Sequence, residues 1–178
     1  VRDTCLVCGG GLADSGFYSQ HRVCPHCRFH YSMTARERIE SLADPGTFRE
    51  TNRSVTSLDP LSFSTRVPYK QRVFREQRRT GLTEAAVTGT CAIGGSPLVL
   101  IVLDFGFMGG SMGCVVGEKV ALALEYAVKR KRPVVAVVTS GGARIQEGVL
   151  SLMQMAKTAI AASQLDAKGM PFITVLAN

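Results

Sequence analysis

The sequence predicts an α/β protein in which a small cysteine-stapled module precedes a layered domain. Three observations carry this. Cys5, Cys8, Cys24 and Cys27 form two C-x2-C pairs with fifteen residues between them. Apolar strand-like runs begin near residues 98, 134 and 172, spaced 36 and 38 residues apart, with a helical pattern between each two. Glycine-rich turns follow the first two runs, which is the texture of repeated strand-loop-helix units and a parallel sheet.

At 178 residues, 46% hydrophobic and 20% charged, the chain is long enough for one ordinary domain or two small ones. The longest strongly apolar stretch, Leu98–Leu103, has six residues, against the ~18 of a membrane span. No apolar h-region follows Val1, so no secretory signal and no membrane partner are expected, and the chain reads as cytoplasmic. The net charge is +7, with 13 Lys and Arg against 9 Asp and Glu in residues 1–90. That surplus implies anionic partners without choosing among them.

The four paired cysteines have the ligand spacing of a zinc ribbon: two tight turns each offer two thiolates, and together they close a tetrahedron. All four positions are filled by protein, so the site is structural. The other use of such spacing is a disulfide pair in a secreted mini-domain. His26 and His30 find no vacancy among the ligands. Gly9-Gly10-Gly11 and the alternating Phe17–Val23 read as a hairpin between the knuckles. Residues 1–31 form this module, too small to hold a core without an ion.

Thr34-Ala35-Arg36-Glu37 is a capping box opening a short helix to about Leu42, ended by Asp44-Pro45-Gly46. The stretch to residue 70 is rich in Ser, Thr and turns, and Tyr69–Arg79 is a charged surface helix stopped at Gly81. Residues 32–83 thus read as a helical and irregular linker, and residues 84–178 as the layered domain. There, Ala86–Ile93 and Pro97–Phe105 are strands joined at Gly94-Gly95-Ser96, the second apolar enough to be buried on both faces. The next helix places Val116, Val120, Ala123, Leu124, Ala127 and Val128 on one face. Strand Val134–Thr139 follows. A second long helix has its stripe at Val149, Leu152, Met153, Ala156, Ala159 and Ile160. Pro171–Ala177 is a final apolar strand with nothing after it to cover the sheet.

Two loops offer chemistry. Gly109-Gly110-Ser111-Met112-Gly113 brings backbone to the amino end of a helix, where it serves either close packing or a ligand. Ser140-Gly141-Gly142-Ala143-Arg144 joins a buried strand to a helix and exposes consecutive N–H groups, the construction of an oxyanion hole. Arg144 falls in the first turn of that helix, where the dipole disfavours a cation; it either pairs with Glu147, three residues on, or faces a bound anion or orients the loop. His21, His26 and His30 all lie in or beside the cysteine module, so no serine-histidine-acid arrangement is available. Chemistry here rests on backbone donors and on a reactive group brought by substrate or cofactor.

Cys5–Cys27, Met33–Arg38, Phe107–Gly113, Ser140–Glu147 and Leu152–Lys157 together resemble the carboxyltransferase β subunit of bacterial and plastid acetyl-CoA carboxylase. The resemblance implies a four-cysteine zinc ribbon followed by part of a crotonase-like spiral of ββα units. It implies a transferase that moves a carboxyl group from biotin, carried on a biotin carboxyl carrier protein, to acetyl-CoA or a similar acyl-CoA. The product is malonyl-CoA, the feedstock of fatty acid biosynthesis. Gly141 and Gly142 would be the catalytic oxyanion donors. Gly109, Gly110, Gly113, Ala143 and Arg144 would bind the CoA thioester, and Lys129–Arg132 would either meet CoA phosphates or serve as the cationic end of a helix.

Members of that family continue beyond the position of Leu176 with further spiral. The expected partner is therefore a carboxyltransferase α-type subunit or a complementary C-terminal half, without which the chain should be inactive. A competing reading from another class is a zinc-ribbon scaffold or nucleic-acid-binding homologue, with Arg2, Arg22, Arg28, Arg36 and Arg38 on phosphates.

Overall fold

The computed structural model describes residues 3–177. Its sheet has five strands, β1 (Arg49–Thr51), β2 (Ala86–Ile93), β3 (Ser96–Leu103), β4 (Val134–Val138) and β5 (Phe172–Leu176), in that spatial order. β1, β2 and β3 pair antiparallel, whereas β3, β4 and β5 pair parallel, with Val99 opposite Val134 and Val134 opposite Phe172. Local chemistry sets the β2–β3 hairpin. Gly94 and Gly95 both take positive φ (57° and 77°), and the Asp44 carboxylate accepts from their N–H groups at 2.9 and 2.8 Å. Helix α4 (Cys114–Arg130) fills the crossover from β3 to β4, and α5 (Val149–Ala167) the one from β4 to β5.

Alternate residues of β3 enter two different cores, as expected for a strand buried on both faces. Val99 and Ile101 pack with Ala123, Leu124 and Ala127 of α4 and Ala161 and Leu165 of α5. Leu98, Leu100 and Val102 pack with Ala35 and Ile39 of α2 (Ala35–Leu42) and Tyr69 and Val73 of α3 (Tyr69–Thr80). The α4 stripe therefore lies where its periodicity puts it. The capping box is also present: the Thr34 hydroxyl accepts from the Glu37 N–H at 3.2 Å, and the Glu37 carboxylate accepts from the Thr34 N–H at 2.9 Å.

Four expectations need correcting. Phe17–Val23 is not a strand, because Ser15 caps a short helix, α1 (Gly16–His21), and turns Tyr18 into the cluster with Cys5, Leu12 and Cys24. Residues 32–83 are not merely a linker, since they add β1 to the sheet and Tyr69, fully buried, to its core. Arg144 is not in a first helical turn. It precedes a 3-10 turn, Ile145–Glu147, and Gly148 at φ 52° separates that turn from α5. The α5 stripe is displaced too: Val149, Leu152, Met153 and Ile160 are exposed, and Ser151, Ala161 and Leu165 are the buried set. Strand β5 is exposed at every position. No helix among the described residues is long and apolar enough to cross a membrane.

Candidate functional site

At the amino end, the four cysteine sulfurs lie within 4.8 Å of one another. Cys5 Sγ is 3.7 Å from Cys27 Sγ, and Cys8 Sγ is 3.7 Å from Cys24 Sγ. A tetrahedral ion with metal–sulfur bonds of about 2.3 Å requires sulfur–sulfur edges of about 3.8 Å, so the donor set fits zinc. The cysteines are free, which removes the disulfide reading. The Tyr31 hydroxyl donates to Cys5 Sγ at 3.2 Å and, with main-chain donors, pulls that thiol down to about 6, toward the thiolate a metal needs. His26 Nε2 donates to the Gly11 carbonyl at 3.2 Å instead of joining the cluster.

The arginines read as phosphate contacts are partly spoken for. Arg22 is ion-paired with Glu37, and Arg36 comes within 3.9 Å of Glu50. Arg28 stacks over Phe17, and Arg2 lies outside the described residues.

The two glycine loops meet at the carboxyl ends of β3 and β4. They form a one-residue parallel bridge in which the Met112 N–H donates to Gly142 O at 2.8 Å and the Arg144 N–H to Met112 O at 2.9 Å. The Gly141 N–H donates to Gly109 O at 2.8 Å, and the Gly142 N–H to the Ser140 hydroxyl at 3.1 Å. That hydroxyl in turn donates to Gly110 O at 2.7 Å. Both N–H groups expected to be oxyanion donors are thus committed inside the chain. Among the described residues, the Ala143 N–H has no acceptor, and Ala143 is exposed. Gly142, at φ 110°, has open space where a Cβ would stand.

The expected substrate-binding residues divide in the same way. Gly110 and Gly113 are buried packing positions: a Cβ on Gly110 would come 2.5 Å from Thr139 O, and one on Gly113 2.6 Å from Glu147 Oε1. Gly109 faces open space. Beside the loops, a groove of about 390 Å³ opens between α4 and α5, and Met112, Ala143, Val116, Val120, Leu152 and Met155 are among its lining. Lys129–Arg132 lie at the other end of α4, 17 residues or about 25 Å of helix from the glycine loop. The helix-end reading fits that position.

Arg144 is not a surface anion binder. Its side chain is fully buried and ion-paired with Glu84 at 2.6 Å. Burial works against the charge, but the hydrogen bonds and the charge of Glu84 outweigh it and hold the guanidinium protonated, above its ordinary value. Glu147 is 3.5 Å away and accepts from the Tyr69 hydroxyl and the Cys114 N–H, each at 2.5 Å. Burial pushes its carboxyl up. The Cys114 amide, Tyr69 and Arg144 push it further down, so the net shift is below the usual value. Glu84, Tyr69 and Lys119 were not expected at the site. The sequence marked Glu84 and Tyr69 only as the first residues of the layered domain and of a charged helix.

A family model described as the carboxyl transferase domain matches residues 30–178. The chain belongs to that family. It is 47% identical over 174 residues to the acetyl-coenzyme A carboxylase carboxyl transferase subunit beta of Thermus thermophilus, covering 98% of this chain and 61% of the relative. It is 49% identical over 154 residues to the chloroplastic counterpart of Lemna minor, covering 86% of this chain and 31% of that one. The chain spans about three-fifths of the Thermus relative's length.

Among solved structures it is similar to transcarboxylase 12S with methylmalonyl-coenzyme A and methylmalonic acid bound. The TM-score is 0.66 and the identity 30%, over 91% of this chain and 27% of that one. A Pseudomonas malonate decarboxylase hetero-tetramer in complex with malonate gives a TM-score of 0.63 and 28% identity, over 82% and 51%. The architecture is the crotonase-like ββα type of these carboxyltransferases, with the four-cysteine ribbon in front.

Proposed function

We propose that this chain is the acyl-CoA side of a biotin-dependent carboxyltransferase, acting on acetyl-CoA or a similar thioester. The observation that carries the reading is the joined pair of glycine loops, which leaves the Ala143 N–H unpaired at an open edge beside an apolar groove. An N–H fixed there stabilises charge on a thioester oxygen as the α-carbon loses its proton, and one such donor is worth on the order of 3 kcal/mol. In the net reaction a C–H bond of the acyl group breaks and a C–C bond to the carboxyl forms. The biotin nitrogen gives up the carboxyl and takes the proton.

Gly142 keeps the approach open, Gly109 lies along the path of the pantetheine arm, and Gly141 assists by bonding Gly109 in place. The role first expected of the Gly141 and Gly142 N–H groups passes to Ala143. The ribbon cysteines hold zinc, which is structural because all four of its positions are protein ligands. The proposed partners are an α-type carboxyltransferase subunit, a complementary C-terminal half and the biotin carrier protein, in the cytoplasm. The names of the relatives as subunits support that assembly.

The test is transfer from malonyl-CoA to a free biotin amide by the chain combined with its complementary subunits. Ala143→Pro deletes that donor and should lower turnover about a hundredfold or more, with zinc content unchanged. Unaltered turnover in that variant would remove Ala143 from the mechanism.

A further inference from the structure

We infer that Arg144, locked by Glu84, is a positioning residue that sets the register of the two glycine loops and so aims the Ala143 N–H. The inference rests on the function proposed above and adds a residue that touches neither substrate nor reacting atoms.

The guanidinium has five N–H donors, and each finds an acceptor. Nε donates to the Ser111 hydroxyl at 3.0 Å. Nη2 donates to Ser111 O at 2.8 Å and to Glu84 Oε1 at 2.6 Å. Nη1 donates to Glu84 Oε2 at 2.8 Å and to the Tyr69 hydroxyl at 3.1 Å. One side chain on the second glycine loop therefore grips the first loop twice, at the residue preceding the Met112–Ala143 bridge. It is itself fixed to the residues before β2 and to the start of α3. Its ring-facing side lies over Phe107, 5.8 Å from the centroid.

The outer partners are fixed in turn. The Ser57 hydroxyl donates to Glu84, and the Lys119 ammonium donates to Thr83 Oγ1 at 2.9 Å and Ala86 O at 3.2 Å on either side of that acid. Glu147, reached through Tyr69, holds the first N–H of α4.

Stability alone is a poor reason for this arrangement. Desolvating a buried pair costs about as much as the attraction returns, and apolar residues of similar volume often serve equally well. What an apolar cluster cannot do is fix two backbone segments by directional bonds. The bidentate fork to Glu84 leaves the remaining donors of Arg144 no rotation, and they hold Ser111 at one distance from the Ala143 loop. A lysine at this position keeps the charge and loses the fork.

The experiment uses the chain combined with its complementary subunits, as in the transfer assay, with Arg144→Lys. Acetyl-CoA labelled with ¹³C at the thioester carbonyl is bound, and the carbonyl stretch is read by difference infrared spectroscopy. The wild-type chain should lower that stretch relative to free acetyl-CoA. R144K should return it toward the free value while binding CoA itself with unchanged affinity. The two bridge amides, at positions 112 and 144, should exchange with deuterium about tenfold faster or more. Ser111→Ala, which deletes one acceptor and leaves the Glu84 pair whole, should give the same changes at smaller size, and it decides the matter if R144K does not fold.

Wild-type carbonyl shift and wild-type amide protection in a folded R144K, or in S111A if R144K is unfolded, would overturn the inference. A wild-type chain that leaves the carbonyl stretch unmoved would instead overturn the proposed function and, with it, the aiming of Ala143. Amide exchange would still report separately whether Arg144 sets the loop register.

Discussion

The ribbon and the layered domain are built on opposite principles, although α2 joins them directly. The ribbon has a core of four buried residues, Cys5, Leu12, Tyr18 and Cys24, two of which are metal-ligand candidates. Its backbone pairing among the described residues is limited to the isolated bridges Thr4–Gly11 and Val23–His30. The layered domain buries an apolar strand on both faces and covers it with four helices. A core that small cannot offset the conformational entropy of its own chain. The ribbon should therefore depend on an ion, and the sheet should not. The lesson is that one polypeptide carries two stabilities, answering to different perturbations.

The largest expected effect separates them most cleanly. Chelation, or Cys24→Ala, should unfold the ribbon, because metal binding supplies on the order of 10 kcal/mol of folding free energy to such modules. Amide resonances of β2, β3 and β4 should stay in place. Loss of the sheet signals on chelation would show that the two regions are a single cooperative unit.

Leu100→Ala is the converse. It empties a fully buried site of the sheet and should cost about 3 kcal/mol in denaturant unfolding, with metal content unchanged. Thr34→Ala acts on the junction. It removes the cap of α2 and should cost about 1 kcal/mol, seen first as fraying of Ala35–Leu42 in amide exchange.

The smallest effect is in acid. Glu147 has its folded value lowered, so its contribution is complete above the ordinary carboxyl value near 4.5 and is lost as pH falls from there through the lower folded value. Glu147→Gln should flatten the stability profile of the layered domain below pH 4.5 and leave metal release by the ribbon, read in parallel, on its wild-type course. An unchanged slope would mean that Glu147 carries none of the acid sensitivity.

Much of this was legible in the sequence, and the parts that were not share a cause. The cysteine spacing, the Thr34–Glu37 box and the strand-helix repeat are local signals, each complete within a few residues. The Glu84–Arg144 pair spans 60 positions, and β1 is three residues whose strand character exists only opposite Thr88, Gly89 and Thr90. Neither leaves a local trace. The α5 stripe was misplaced for a different reason. The helix is apolar on several sides, so periodicity alone could not say which side meets the sheet. At the loops, glycine spacing marked the two segments that the structure joins, but not which of their N–H groups is left without an acceptor. Which N–H is left unpaired depends on how Gly109 and Ser140 use their own oxygens.

The Asp104 carboxylate accepts from the Gly106 N–H at 2.7 Å and, across 69 positions of sequence, from the Ala35 N–H at 2.7 Å. During synthesis that second bond has no partner until long after the ribbon and α2 have left the ribosome. A nascent ribbon can load its metal and wind α2 on the Thr34–Glu37 box alone, and it seats against the sheet only when the end of β3 arrives. The order of synthesis thus makes the Ala35–Asp104 docking bond later than the ribbon and α2, and the bonds between the glycine loops later still.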